Sequence, residues 1–313
     1  YIYRINKQPF YHYSVLEYMR QTLAIIMVLR TLGTLNAQIQ EFPDSIKWQR
    51  VNTLIATESV FYLGGLSYLQ YVWYHDKERV PFHYYNDNKG WLQLDKLGHA
   101  ITAYKESYTG YYGLRKAGVS KKKALIYGGP LGVFLQAPIE VFDGLYSGWG
   151  FSWGDMIANT SGSLLLVGQE LLYGDQILKL KMSYQRSAMA DLYPSYLGEN
   201  QLQSFFYDYN GHTYWLSVNL NRIAPNKKIP NWVNIAVGYS GENMFNEFKN
   251  GGRYAEYERH RQYYLSLDID WTKINTKNKI LRAVLDAMMV VKLPFPAIEF
   301  SPQNVWKGRG LYF

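Results

Sequence analysis

The chain has 313 residues, with 33 Lys and Arg against 25 Asp and Glu, six His and no Cys. That length exceeds what a stapled mini-protein needs, and a hydrophobic content of 48% excludes a disordered chain. The lack of Cys excludes disulfides, thiolate zinc sites and a cysteine nucleophile within these residues.

Aromatic residues make up 17%, with 30 Tyr, a bias that suits envelope proteins whose Tyr and Trp sit at membrane interfaces. The net charge of +8 raises nucleic acid as a partner, but the charge is spread out. The densest basic run, Lys121-Lys122-Lys123, interrupts two apolar stretches, and there is no zinc-finger spacing or RNP-like motif. No nucleic-acid partner is expected. The lysine run suits a loop near anionic lipid headgroups, or a solvated turn between helices.

Near the N-terminus, Met19-Arg20 is followed by the apolar run Leu23–Leu29, then Leu35-Asn36-Ala37 before polar residues. A positive start, a short apolar core and a small residue predict a secretory signal peptide within a 1–37 leader, cut after Ala37. Seven apolar residues are too few to cross ~30 Å of hydrocarbon.

The first long apolar segment runs from Thr53 to Trp73, interrupted by Glu58, Gly64 and Gly65. A polar aromatic loop from Tyr74 to Trp91 contains Pro81 and the turn signal Asn86-Asp87-Asn88. A second, amphipathic helix is expected from about Leu92 to Ala117. A third runs from Ala124 to Phe142, with a kink or break expected at Pro130 or Pro138. A glycine- and aromatic-rich turn leads to a fourth helix from about Asp155 to Tyr173. Apolar helices with short connections predict a bundle over 51–178.

Beyond Ser183 the period changes to two. Tyr214, Leu216, Val218 and Leu220 alternate with polar or aromatic neighbours; so do Val233, Ile235, Val237 and Tyr239, and Tyr263, Leu265, Leu267 and Ile269. That pattern predicts half-buried antiparallel strands, a small sheet packed on the helices. A last helix is expected from Lys279 to Lys292. The fold class is therefore α+β: a helical bundle of about four apolar helices followed by a small antiparallel sheet over 183–313.

Polar residues gather at the helix starts. Asp95 and His99 stand at i and i+4 and share one face. Glu140 and Asp143 close the third helix. Ser152 precedes the fourth as an N-cap for Gly154 or Asp155, and Asp155, Asn159 and Gly162 form a stripe. In one reading Asp95, His99, Glu140 and Asp155 converge on a pocket. His99 then serves as general base or metal ligand, on a lipid-linked or cell-wall substrate. No nucleophile elbow, His-x-x-x-His pair or phosphate loop accompanies them. In the other reading they are structural. Asp95 and Asp155 cap helix starts, Lys96 pairs with Glu140 or Asp143, and His99 and Asn159 bond across the bundle, each such bond worth about 0.6–2 kcal/mol. The structural reading leads.

These residues resemble the YfiM-like predicted periplasmic lipoprotein family, a domain of unknown function. The matching pieces are Asp95-Lys96-Leu97-Gly98-His99, Glu140-Val141-Phe142-Asp143, and Gly150-Phe151-Ser152-Trp153-Gly154-Asp155 with Asn159 and Gly162, within roughly 92–170. A looser likeness to VanZ-like membrane proteins rests on the Asp-Lys-x-x-His piece and the later Asp-x-x-x-Asn. The resemblance implies a helical envelope protein and brings no activity or cofactor with it. These residues contain no Cys to carry a lipid, and the alternating C-terminal third looks like the longer members in Bacteroidetes-type bacteria.

Other candidates are weaker. Asp268 and Asp270 read as a solvated strand face rather than a cation site. His83, His212 and His260 lack ligand spacing, His12 lies in the leader, Arg259-His260-Arg261 could touch phosphate, and Gly251-Gly252 is a loop hinge. The leading expectation is a periplasm-facing, membrane-associated envelope protein with a structural or assembly role, with membrane lipid or envelope proteins as partners. The alternatives are an enzyme using the acid–histidine cluster, and an outer-membrane assembly component.

Overall fold

The structure, a computed structural model, describes residues 42–226, 228–302 and 306–313. The expected leader lies outside the described residues. Helix α1 (Trp48–Leu69) buries only Val51 and continues through a π-helical turn to Tyr74, which is buried as well. It is tied to the bundle at isolated points, such as the Tyr62 hydroxyl donating to the Leu135 carbonyl at 2.9 Å.

Helix α2 (Leu94–Lys116) is the centre of the bundle. Helices α3 (Lys121–Gly128), α4 (Leu131–Asp143) and α5 (Trp153–Leu172) pack around it. The expected break in the third apolar segment falls at Gly129-Pro130, whereas Pro138 is absorbed inside α4. Lys121–Asp143 is the stretch among the described residues long and apolar enough to cross a membrane, but its two helices meet at that break. Close approach of α2 to its neighbours depends on small residues. A Cβ at Gly162 would sit 2.0 Å from the Ala100 carbonyl oxygen, and one at Gly132 would sit 2.1 Å from that of Ala103. Small-residue contacts of this kind are how helices approach when apolar packing alone cannot hold them.

The bundle combines an apolar core around Tyr104, Tyr108, Ala124 and Leu166 with many buried polar side chains. Helix α5 buries Asp155, Asn159, Ser163, Gln169 and Glu170 together with Gly162 and Leu166, while Ile157, Leu164 and Leu171 are exposed. Ser107 of α2 donates to Ser163 at 2.8 Å, and Tyr111 and Tyr112 both donate to Glu170.

Strand β1 (Leu178–Tyr184) follows directly, and the sequence pattern had not marked it. Short helices α6 (Ala188–Leu192), α7 (Pro194–Leu197) and α8 (Gln201–Tyr207) lead to β2 (His212–Asn219). Then come α9 (Leu220–Ile223), β3 (Val233–Glu242), β4 (His260–Ile269), α10 (Lys279–Ala287), β5 (Phe295–Phe300) and β6 (Lys307–Tyr312). The six strands form one antiparallel meander in chain order. The last helix ends earlier than expected, at Ala287, and a 3-10 turn carries the chain to a bridge between Val291 and Met182 of β1.

The period-two alternation is present, but its polarity is inverted. Thr213, Trp215, Ser217, Asn234, Ala236, Tyr264, Ser266 and Asp268 point inward and are buried. Leu216, Val237, Leu265 and Leu267 point outward and are exposed. Asp268 and Asp270 are therefore not a solvated face. They are buried and paired with Lys181 and Lys179 respectively, because a polar interior must supply its own counter-ions.

Candidate functional site

The site starts at a backbone irregularity. Trp91, Leu92 and Gln93 all have positive φ, at 45°, 52° and 68°. Three consecutive L-residues in the left-handed region cost roughly 1–2 kcal/mol each, so neighbours must hold them. Trp91 stacks on Tyr209 with ring centroids 4.9 Å apart, and its N–H donates to the Glu247 carbonyl at 2.7 Å. Tyr239 of β3 donates to the Leu92 carbonyl, and Arg261 of β4 donates to the Gln93 side chain at 2.7 Å. The sheet thus holds the turn that launches α2, with Asp95, Lys96 and His99 in its first turns.

Four elements then converge. The His99 Nδ1 lies 3.2 Å from the Asn159 Oδ1 and 3.5 Å from the Glu140 Oε1. The His99 Nε2 lies 3.7 Å from the Asp155 Oδ1 and 3.9 Å from the Asp95 Oδ1. One ligand atom from each of Asp95, His99 and Asp155 lies within 4.8 Å of the others, close enough to hold a metal ion. The Lys96 Nζ occupies the same acidic nest, 2.7 Å from Asp87, 2.7 Å from Asp155 and 3.1 Å from Asp95. That single ammonium meets three carboxylates and offsets only part of their charge.

The expected pairing of Lys96 with Glu140 or Asp143 is corrected here. The lysine reaches toward the loop and α5 instead, and Asp143 accepts from the Tyr74 hydroxyl. Capping is also reassigned. Ser152 caps α5 by accepting from the Asp155 N–H at 3.1 Å, as expected, but neither Asp95 nor Asp155 caps with its own carboxylate. The Ser152 hydroxyl donates to Asp87 at 2.6 Å, and the Asp95 carboxylate accepts from Tyr209 at 2.9 Å. Asp87, Tyr74 and Tyr209 were missed. Asp87 sat inside a stretch that reads only as a turn, and the two tyrosines are far from the cluster in sequence.

Buried charge shapes the protonation states. Burial by itself would push the His99 imidazole down, but Asp95, Asp155 and Glu140 outweigh it and hold it up at about 9. Burial pushes Glu140 up to about 8 and Asp155 up to about 7, in each case against the pull of His99. Burial likewise raises Asp143 to about 6. Asp87 is held below its usual range, because hydrogen bonds from Lys96 and Ser152 overcome its burial. The surrounding carboxylates thus draw the His99 imidazole toward its protonated form, while burial draws Glu140 and Asp155 toward theirs. One Glu140 oxygen, Oε1, and the Asn159 Nδ2 are buried without a hydrogen-bond partner.

The cluster faces two cavities. One, of about 300 Å³, is bounded by Trp73, Trp91, Tyr196 and Phe206 above Asp87, Asp143 and Asp155. The other, of about 340 Å³, is bounded by Phe61, Leu66, Met182 and Tyr214. Asp95 and His99 line both. Among the described residues, the remaining histidines are spent locally: His75 against Asp76, His83 on the Trp149 carbonyl, His212 on the Phe205 carbonyl and His260 against Glu242.

A helical domain with a buried acid–histidine cluster between aromatic-walled cavities is the class that fold and site define. Residues 83–168 match the family model described as predicted periplasmic lipoprotein, DUF2279. All of Asp87, Asp95, Lys96, His99, Glu140, Asp143, Ser152, Asp155 and Asn159 fall within the match. The match supports an exported, periplasmic protein of unknown biochemical activity and adds nothing to the VanZ-like likeness. Comparison with curated proteins and with solved structures found no match.

Proposed function

We propose that the chain is a membrane-associated, periplasm-facing envelope protein whose acid–histidine cluster performs acid–base chemistry on a lipid-linked or cell-wall substrate. The observation that carries this reading is the placement of the His99 imidazole within 3.5–3.9 Å of carboxylates from its own helix, α4 and α5, on the wall of two apolar cavities. The raised imidazolium and Glu140 are proton donors, and the ionised fraction of Asp155 is a proton acceptor for water. Carboxylates outnumber cations in the cluster, which disfavours an anionic phosphate as the reacting group. A neutral ester, amide or glycosidic bond fits better. Membrane association is supported by the exposed apolar exteriors of the helices, including Phe61, Phe134, Leu164 and Leu172.

The test uses the full chain in detergent, incubated with total envelope lipid and cell-wall extract, with products followed by mass spectrometry. His99→Gln is expected to lower product formation by about 10²-fold or more while the chain stays folded. Glu140→Gln is expected to displace the pH profile. No product from the unaltered chain, or equal product from His99→Gln, would overturn the catalytic reading. A structural role is favoured by one specific observation, the bond from His99 to Asn159 across the bundle. Under that role His99→Gln lowers the melting temperature and leaves products unchanged.

A further inference from the structure

We propose that the aliphatic outer face of the β-sheet is a lipid-contacting surface, immersed in the acyl chains of an envelope membrane. This deepens the membrane-associated part of the proposed function and is independent of the chemistry of the cluster.

The strand register builds the face row by row. Leu180, Leu216, Val237, Leu265 and Ile298 are direct neighbours across five strands. Leu178, Val218, Ile235 and Leu267 form the row on one side of it. No side chain in either row is polar. The β1 end of the face meets α2 through Leu180 and Met182, but Leu216, Val237, Leu265, Leu267 and Ile298 are 40–53% exposed.

An ordinary half-buried sheet turns this face inward. Here the opposite face is the one that is filled, with ion pairs Lys181–Asp268, Lys179–Asp270 and Arg309–Glu299. The sheet also curls onto itself. Tyr312 of β6 stacks on Tyr264 at 4.0 Å and meets Thr213 of β2 at 3.0 Å, and the Lys292 ammonium lies 4.3 Å from the Trp215 ring centroid. A sheet with an ion-paired polar interior and two uncharged aliphatic rows outside is patterned for hydrocarbon on that side, as in membrane-embedded strands.

The order of residues along β4 says how that face sits in a membrane. Outward positions run Leu267, Leu265, Tyr263, Arg261. The next row is aromatic, with Tyr239, Tyr263 and Phe300 adjacent and Trp306 within 5.5 Å of Phe300. Aliphatic, then aromatic, then cationic is the sequence of hydrocarbon, interface and headgroup. Arg261 also reaches Gln93 at the start of α2, so the acid–histidine cluster lies toward the headgroup side of the aromatic row. Four outward positions at ~3.3 Å per residue span roughly 20 Å, less than the ~30 Å of a full hydrocarbon core. The face is therefore immersed in the bilayer without crossing it.

The absence of Cys makes the test direct, because one introduced thiol labels uniquely. Val237→Cys and, separately, Leu265→Cys would carry an environment-sensitive fluorophore, with Lys122→Cys on the exposed start of α3 as the comparison. Each full-length chain is reconstituted into phosphatidylethanolamine/phosphatidylglycerol vesicles containing acyl-chain-brominated lipid. The labels at 237 and 265 are expected to shift to the blue and lose about half of their emission, while that at 122 changes little. If the chain floats with vesicles but labels 237 and 265 are quenched no more than label 122, the sheet proposal fails while membrane association stands. If the chain does not float, both fail. Self-quenching between copies without bromine quenching would show that a second copy covers the face, and would also overturn the proposal.

Discussion

The bundle and the sheet share one inversion and resolve it differently. Each buries polar side chains and leaves aliphatic ones outside. In the sheet, Lys179, Lys181 and Arg309 each have a carboxylate of their own, and Lys292 is held by the Ser266 hydroxyl, the Leu293 carbonyl and the Trp215 ring. In the bundle, Asp87, Asp95, Glu140 and Asp155 share one lysine and one histidine. Matched charge is what a polar interior needs to hold together. Burial beside a cavity raises the protonation constants of Glu140 and Asp155, and the surplus of carboxylates around His99 holds its imidazolium, which is what acid–base chemistry needs. The contrast separates scaffold from site without reference to any relative.

The largest expected effect tests the scaffold half of that contrast. Lys181→Met strands Asp268 in the sheet interior and should cost about 3–5 kcal/mol, read from chemical unfolding in detergent. Adding Asp268→Leu should recover most of the loss. A double variant no more stable than the single one would show that the pair is not self-contained.

A middle-sized effect concerns pH and tests the site half. His99, Glu140 and Asp155 are all raised on folding, so the folded state binds more protons than the unfolded one. For His99, stabilisation is complete below its ordinary value of 6.5 and is lost as pH climbs through about 9. For Glu140, the cost of ionisation is absent below 4.5 and grows up to about 8. For Asp155 it grows from 3.8 to about 7. The three titrate as one interacting set with the same direction, and melting temperature should fall from pH 5 to pH 9. Glu140→Gln should flatten the part of that slope below about 8. A slope that Glu140→Gln leaves unchanged would remove Glu140 from the cluster's titration.

The smallest effect sharpens the link between the two regions. Tyr239→Phe removes the hydroxyl that holds the Leu92 carbonyl and should cost about 1 kcal/mol. Because that bond steadies the left-handed turn before Asp95, the same variant should lower product formation more than an exposed substitution of equal stability cost. Equal losses would mean that the sheet does not position the site.

The amino-acid order alone determined the helical bundle and the alternating strands after it, and it marked Asp95, Lys96, His99, Glu140, Asp143, Ser152, Asp155 and Asn159, at or near helix ends, as candidates for one cluster. Those follow from periodicity and from polar residues placed at helix starts, which are local properties. Tertiary structure alone decided the partners. Lys96 turned to Asp87 and Asp155 because the loop from Tyr74 to Trp91 folds back over the start of α2. Tyr209 joined from the far side of β1. Most of all, period two marks two faces of a strand without saying which one is inside. That choice came from counter-ions on separate strands and loops finding each other, and no local pattern encodes it.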